Sequence, residues 1–336
     1  MRQVDFTTDV TAAVGTGDRL MIAATAYLPD EVSSEVTVIA AFPGGGYNRN
    51  YFNLIIDGDD SYSQALHHTS KGLVVVAIDH LDSGGSSSPA DRLGITFEHI
   101  AAAHHATVTE ARRLLESGTL RSDLAPVRVG PVIGIGHSMG GSFLTITQGI
   151  HKTFDAVAML GHSGFQPSWP HPSGRGRIEG RFFPPRGTDL HTIAPVSDHT
   201  LEEIEYCFYY EDLPSAIREA EMAALADRSN PSAPPWRSAT SPPCDLTLMS
   251  SGAMLPEATM IDVPILIAVG ERDLTADPRA EPTAYPSSSD ISVAIFPRMA
   301  HVHNFAGTRT QLWDRLCVWA DGIKAGYRSD ARAFSS

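Results

Sequence analysis

Gly136-His137-Ser138-Met139-Gly140 is the most informative segment of this chain. An apolar run, residues 131–135, precedes it, and a helix-like run, residues 141–149, follows it. A strand that turns into a helix around Gly-X-Ser-X-Gly is typical of the nucleophile elbow, which exposes a serine hydroxyl on a sharp turn. Glycines flank the serine because the tight backbone leaves no room for side chains beside it. The pattern predicts that Ser138 is a nucleophile.

Short strand-like runs alternate with helical patterns on both sides of this stretch. Such alternation is typical of an α/β protein with a mostly parallel, buried sheet flanked by helices. The first two strands flank a Gly-Thr-Gly turn and are expected to pair antiparallel. Eight strands are predicted at residues 4–8, 20–28, 36–42, 73–78, 132–135, 156–160, 264–269 and 291–296. The main helices are predicted at residues 61–70, 96–117, 141–149, 200–210, 214–228 and 308–325.

Residues 162–259 interrupt this rhythm with proline-rich and glycine-rich segments. Connections between elements in compact domains usually have about 4–6 residues, so a segment of this length indicates an inserted subdomain. We expect residues 1–161 and 260–336 to form the core and residues 162–259 to form a cap after the sixth strand.

Composition restricts the class of partner. The 336 residues carry a net charge of −14, which argues against nucleic-acid binding and against an anionic membrane surface. No apolar run reaches the roughly 18 residues of a membrane helix, and the N-terminus lacks the apolar stretch of a secretory signal.

The odd number of widely spaced cysteines argues against a disulfide framework or a structural zinc site, and we expect a cytoplasmic protein. They are Cys207, Cys244 and Cys317.

The chain resembles the α/β-hydrolase family, whose order of nucleophile, acid and histidine it reproduces. Residues 36–160 and 260–325 fit that family's core, and residues 162–259 lie where the family places its lid or cap. The resemblance implies an eight-stranded, mostly parallel sheet. It also implies that Ser138 is the elbow serine, and that Asp273, directly after the strand at 264–269, is the carboxylate that orients the histidine.

The histidine has two candidates in Pro297-Arg-Met-Ala-His301-Val-His303. The family commonly has proline, two variable residues, glycine and then the catalytic histidine, so His301 is favoured although Ala300 replaces the glycine. His303 remains the alternative. A His-X-His pair can also bind a metal, but no cysteine or carboxylate cluster accompanies it, so neither a metal nor another cofactor is expected.

The oxyanion hole needs backbone amides that point at the developing charge. One amide is expected from Met139, the residue after the nucleophile. The loop Pro43-Gly-Gly-Gly-Tyr47 resembles the family's His-Gly-Gly-Gly loop, with proline in place of histidine. The resemblance therefore implies a second donor at Gly45, with Gly46 next.

Two further groups of residues are a turn with nearby histidine pairs and a set of aromatic side chains. The turn 79–86 matches a structural turn of the family, and the pairs His67-His68 and His104-His105 are expected to be solvated or partly packed, with no assigned role. Pocket-lining side chains are expected among aromatic residues of the cap and the loop after the third strand. These are Tyr47, Tyr206, Phe208, Tyr209 and Tyr210.

The predicted function is hydrolysis of a small to medium carboxylic ester, apolar or aromatic, through an acyl-enzyme. The same residues also serve carbon–carbon bond hydrolases, lactonases, thioesterases and acyltransferases, which stay as alternatives. A non-catalytic small-molecule receptor is a further one. Family members that cleave haloalkanes or epoxides carry an aspartate at the elbow, where this chain has Ser138. The partner is a small-molecule ester, and both a monomer and a homodimer stay open.

Overall fold

The computed structural model describes residues 1–179, 181–193 and 199–333, and side chains as far as residue 327. Within these residues, eight strands form one sheet: β1 Arg2–Asp9, β2 Met21–Leu28, β3 Glu35–Phe42, β4 Val74–Ile78, β5 Arg128–His137, β6 Ala156–Leu160, β7 Ile265–Arg272 and β8 Ile291–Ala300. Their order across the sheet is β1-β2-β4-β3-β5-β6-β7-β8. The β1–β2 and β2–β4 pairs are antiparallel, and all the other neighbours are parallel. The predicted α/β fold with its mostly parallel sheet is confirmed.

Helices cover both faces of the sheet. The α-helices of the described residues are α1 Thr11–Val14, α2 Gln64–Ser70, α3 Phe97–Ser117, α4 Met139–His151, α5 Leu201–Phe208, α6 Ser215–Ala226, α7 Asp245–Leu248, α8 Leu255–Ala258 and α9 Arg309–Ala333. Alternate strand residues join different apolar clusters. Val38 and Val76 pack with α3 and α4, whereas Ile39 and Val75 pack with α2 and α9. Because both faces are covered, β4 and β6 are buried at every position.

The segment between β6 and β7 contains α5, α6, α7 and α8. We call residues 162–259 the insertion. Its apolar side chains pack into the same clusters as the sheet: Tyr209 and Trp236 lie with β3 and β5, and Leu248 lies with α4. A smaller cluster joins Trp169 and Cys207 to Leu274, just beyond β7. The insertion is thus packed directly onto the carboxyl ends of the central strands.

Candidate active site

Ser138 occupies the sharp turn between β5 and α4. Its backbone has φ +53° and ψ −120°, an unfavourable conformation for a residue with a side chain. A Cβ at Gly136 would meet the Gly140 carbonyl, and a Cβ at Gly140 would meet the Phe42 carbonyl. The amide of Ser138 donates to the Leu160 carbonyl of β6 at 2.8 Å. The two glycines of the elbow are therefore required by close backbone approaches on either side of the serine.

Asp273 follows β7 and accepts hydrogen bonds at both carboxylate oxygens. Oδ1 accepts from His301 Nδ1 at 2.6 Å and from the Leu274 amide at 2.7 Å. Oδ2 accepts from His303 Nε2 at 2.8 Å and from the Gly270 amide at 2.9 Å. Burial raises the pKa of Asp273, but the nearby His301 and the hydrogen bonds from both imidazoles lower it well below its usual range. The carboxylate is therefore held ionised in a buried setting.

His301 and His303 present different ring nitrogens to this carboxylate. His301 uses Nδ1, which leaves Nε2 for a second partner, as a serine-activating imidazole requires. His303 uses Nε2, and its Nδ1 is buried with no hydrogen-bond partner among the described residues. Of the two, His301 is the one whose Nε2 is not engaged by the carboxylate, which makes it the candidate for the general base.

His137, the residue before the serine, ties the elbow to the histidine loop. Its Nε2 donates to the His301 carbonyl at 2.7 Å, and its ring stacks on Tyr51 with centroids 5.0 Å apart. Burial, followed by the neighbouring His301 and His303, lowers the pKa of His137 well below its usual value. Sequence reasoning did not assign this residue a role, because the variable position of the elbow motif carries no signal for it.

Glycines of the loop after β3 lie against the elbow. A Cβ at Gly44 would be 3.2 Å from Ser138 Cβ, and one at Gly45 would be 3.7 Å from Met139 Sδ. In the described part of the chain, no hydrogen bond engages the amides of Gly45 or Met139, whereas the Gly46 amide donates to Ser241 Oγ at 3.3 Å. Gly45 and Met139 are thus the freer pair of donors beside Ser138.

The five aromatic residues expected at the pocket have different surroundings. Tyr47 and Tyr209 are 1% and 2% exposed, and both hydroxyls donate to Glu221. Phe208 lies against His301, with ring centroids 5.1 Å apart.

Tyr206 and Tyr210 both lie against Arg272, the last residue of β7. The Arg272 guanidinium sits 4.1 Å from the ring centre of Tyr206 and 4.9 Å from that of Tyr210. The Tyr210 hydroxyl also donates to Glu271 at 2.7 Å. Of the five side chains, Phe208 is the one with a ring contact to a candidate catalytic residue.

Arg177 of the insertion braces the loop that carries the acid. Its guanidinium donates to the backbone carbonyls of Asp273 at 2.5 Å and of Thr275 at 2.7 Å.

Among the described residues, no group of three histidine, cysteine or carboxylate side chains is placed to hold a metal ion. Over the same ranges, no helix is long and apolar enough to cross a membrane.

Solved structures share this fold. Proline iminopeptidase from Mycobacterium smegmatis has a TM-score of 0.62 at 14% identity, covering 96% of this chain and 99% of that chain. A soluble variant of monoglyceride lipase from Saccharomyces cerevisiae has 0.60 at 17% identity, covering 91% and 93%. An epoxide hydrolase from Vigna radiata has 0.60 at 13% identity, covering 95% and 98%. These three names describe different reactions, so the likeness shows the fold alone.

Sequence comparison gives the family. The comparison with curated proteins finds no match. A profile described as the alpha/beta hydrolase family matches residues 39–310, which is most of the chain. Ser138, Asp273 and His301 all lie within the matched residues. The chain therefore belongs to the alpha/beta hydrolase family.

Proposed function

We propose that this protein is a serine hydrolase that cleaves a small to medium carboxylic ester, apolar or aromatic, through an acyl-enzyme. One observation carries the proposal: a strained serine turn, two amides without a hydrogen bond in the described part of the chain, and a buried carboxylate–imidazole pair lie at the carboxyl ends of β3, β5, β7 and β8. These are Ser138, the amides of Gly45 and Met139, and the pair Asp273 and His301. Nucleophile, base, orienting acid and oxyanion donors are the groups that acyl transfer requires.

In the first half-reaction, the Ser138 hydroxyl oxygen attacks the ester carbonyl carbon while His301 Nε2 takes the hydroxyl proton. The carbonyl oxygen becomes an oxyanion and accepts hydrogen bonds from the amides of Gly45 and Met139. Asp273 stabilises the imidazolium and holds its orientation. The bond between the acyl carbon and the alkoxy oxygen then breaks, and that oxygen takes the proton from His301 and leaves as the alcohol.

In the second half-reaction, water attacks the acyl-enzyme carbonyl and gives its proton to His301 Nε2. The second oxyanion is held by the same two amides. Collapse breaks the bond to Ser138, whose oxygen recovers the proton, and the carboxylic acid is released. Each bond and proton is accounted for with no metal and no other cofactor.

Aromatic side chains beside His301 support the preference for an apolar or aromatic substrate. Phe208 contacts the His301 ring and stacks on Trp169, with ring centroids 5.5 Å apart and planes 23° from parallel. Aromatic walls next to a reacting centre favour apolar groups, because burying apolar surface is worth about 25 cal/mol per Å².

The test is the variant Ser138→Ala. We expect hydrolysis of p-nitrophenyl butyrate to fall by at least about 10³-fold and labelling by a fluorophosphonate probe to vanish. Ser142→Ala is the matched control, because Ser142 is buried one turn further along α4 and its Oγ lies 3.3 Å from His162 Nδ1. The control should keep both properties. Hydrolysis at the wild-type rate by Ser138→Ala would overturn the proposal.

A further inference from the structure

The loop that carries the proposed oxyanion donor has three consecutive glycines, Gly44 to Gly46. Glycine has more backbone freedom than any other residue, whereas an oxyanion hole works only when its amides are already aimed. Contacts from outside the loop must therefore hold its peptide planes. The residues that make those contacts are candidates for a role in catalysis without touching the substrate.

His80, two residues after β4, makes such a contact. Its Nε2 lies 2.8 Å from the carbonyl oxygen of Pro43, and its side chain is fully buried. A carbonyl oxygen only accepts, so His80 Nε2 carries the proton and donates. The bond fixes the planar peptide between Pro43 and Gly44. The following peptide is fixed as well, because the Gly44 carbonyl accepts from the Tyr47 amide at 3.1 Å, and that peptide contains the Gly45 amide.

A second buried histidine backs the first one. Because neutral His80 donates through Nε2, its Nδ1 accepts from His104 Nε2, which is 3.0 Å away. His104 is on α3, and its own Nδ1 lies 3.3 Å from Thr147 Oγ1 on α4, the helix of the elbow. Burial lowers the pKa of His80 to about 4 and that of His104 well below its usual value. Both imidazoles are therefore neutral at neutral pH, so His80 Nε2 stays a donor and His80 Nδ1 stays an acceptor.

The anchored carbonyl also touches the elbow. A Cβ at Gly140 would lie 2.6 Å from the Pro43 oxygen. The Pro43 carbonyl thus lies between the imidazole of His80 and the first turn of α4. A shift of this carbonyl would move the glycine loop relative to Ser138 and Met139.

We propose that His80, backed by His104, is a positioning residue that aims the glycine loop of the oxyanion hole. The inference rests on the proposed serine hydrolase function and deepens it. His80 stabilises the charge on the reacting oxygen indirectly, through the Pro43 carbonyl, and it neither binds the substrate nor moves a proton.

The first test is His80→Leu beside His80→Gln, assayed with p-nitrophenyl butyrate. Loss of a direct oxyanion donor costs about 10²- to 10³-fold in kcat, so loss of its positioning should cost about 10- to 100-fold, with KM within about threefold. Glutamine carries an amide N–H in place of Nε2–H, so His80→Gln should recover most of kcat. Wild-type kcat in folded His80→Leu, or no recovery in His80→Gln, would overturn the inference.

His68→Leu is the matched control for loss of a buried histidine. His68 is fully buried and lies 3.0 Å from Gln64 Nε2 and 3.2 Å from Cys317 Sγ, between α2 and α9. This variant should lower the melting temperature and keep kcat. If His80→Leu does not fold, His104→Leu replaces it in the test. This variant keeps the hydrogen bond from His80 to Pro43 but removes the hydrogen bond from His104 to His80. Wild-type kcat in His104→Leu would contradict the inference.

The affinity for a trifluoromethyl ketone inhibitor is a measurement that a purely structural role of His80 would leave unchanged. The inhibitor's adduct with Ser138 carries an oxyanion in the hole, so its affinity should weaken in His80→Leu by the same factor as kcat. Unchanged affinity would contradict the inference. Failure of the proposed function is distinguishable, because it appears as retained hydrolysis in Ser138→Ala, whatever His80 does.

Discussion

At the scale of single residues, Asp273 is shared by two imidazoles that should contribute unequally. We expect His301→Ala to lower kcat by at least about 10³-fold, because it removes the general base. His303→Ala should cost no more than about 10- to 100-fold, the worth of one hydrogen bond to a charged group, since Asp273 keeps three other donors. Kinetics on p-nitrophenyl butyrate compare the two variants. A greater loss of kcat in His303→Ala than in His301→Ala would indicate that His303 is the general base.

Sequence reasoning at this scale finds residues that carry motifs and misses those that act through tertiary contacts. The expectation of solvated or partly packed histidine pairs was wrong for His68 and His104, which are both fully buried. A signal was present: His104 follows Ile100 by four residues and precedes Val108 by four, so it lies on the apolar face of α3. Its partner His80 lies in the loop after β4, and no local pattern predicts that the two side chains meet.

At the scale of elements, strand prediction succeeded because buried parallel strands are short apolar runs. The largest difference is at β5, which extends six residues beyond the predicted range 132–135. The next is at β8, which the sequence predicts to end at Phe296, before Pro297. The strand continues to Ala300, with Arg298 at φ +51° and a register shift against β7 between Gly270 and Arg272. A proline is tolerated there because β8 is at the edge of the sheet, where the missing N–H breaks no central ladder.

The contact between α4 and the loop after β3 gives a prediction for an element junction. Gly140→Ala should lower stability by about 1–3 kcal/mol, because the new Cβ meets backbone carbonyls that cannot rotate away. It should also lower kcat, since the displaced Pro43 carbonyl anchors the oxyanion loop. Urea unfolding and ester kinetics measure the two effects.

Gly322→Ala is the control for that substitution. Gly322 lies in α9, where a Cβ would have nothing within 4 Å. Alanine is the better helix former by about 1 kcal/mol, so this variant should match or exceed the wild type in stability. Equal stability and activity in both alanine variants would refute the steric account of the elbow.

At the scale of the whole molecule, the insertion and the sheet are joined through a buried charge. Glu221 of α6 is fully buried, and its carboxylate accepts hydrogen bonds from both chain segments. The donors are the Tyr47 and Tyr209 hydroxyls, Trp236 Nε1 and the Arg237 guanidinium. The sequence predicts an inserted cap at residues 162–259 from their number and composition. It could not separate pocket-lining aromatic residues from packed ones. Tyr47 and Tyr209 are held by hydrogen bonds to Glu221, and the helical pattern of the sequence does not predict that this glutamate is buried.

This junction predicts how the insertion contributes to stability. Arg237→Met leaves the Glu221 carboxylate buried without its cation, so the free energy of unfolding should fall by about 3–5 kcal/mol. Adding Glu221→Gln removes the stranded charge while keeping an acceptor, so the double variant should be more stable than Arg237→Met. Urea unfolding of the single and double variants gives the coupling energy.

Arg113→Met is the control for loss of an ion pair, because Arg113 pairs with Glu110 on the exposed surface of α3, where solvent screens the pair and its loss should change stability little. An equal cost in stability for Arg113→Met and Arg237→Met would contradict the argument that the buried pair joins the insertion to the sheet.

Loss of the buried pair should also affect catalysis. The Arg237 guanidinium lies 4.1 Å from the ring centre of Tyr47, and the next residue, Ser238, donates its amide to the Gly46 carbonyl at 3.0 Å. Losing the pair should therefore loosen the oxyanion loop from the insertion side and lower kcat together with stability.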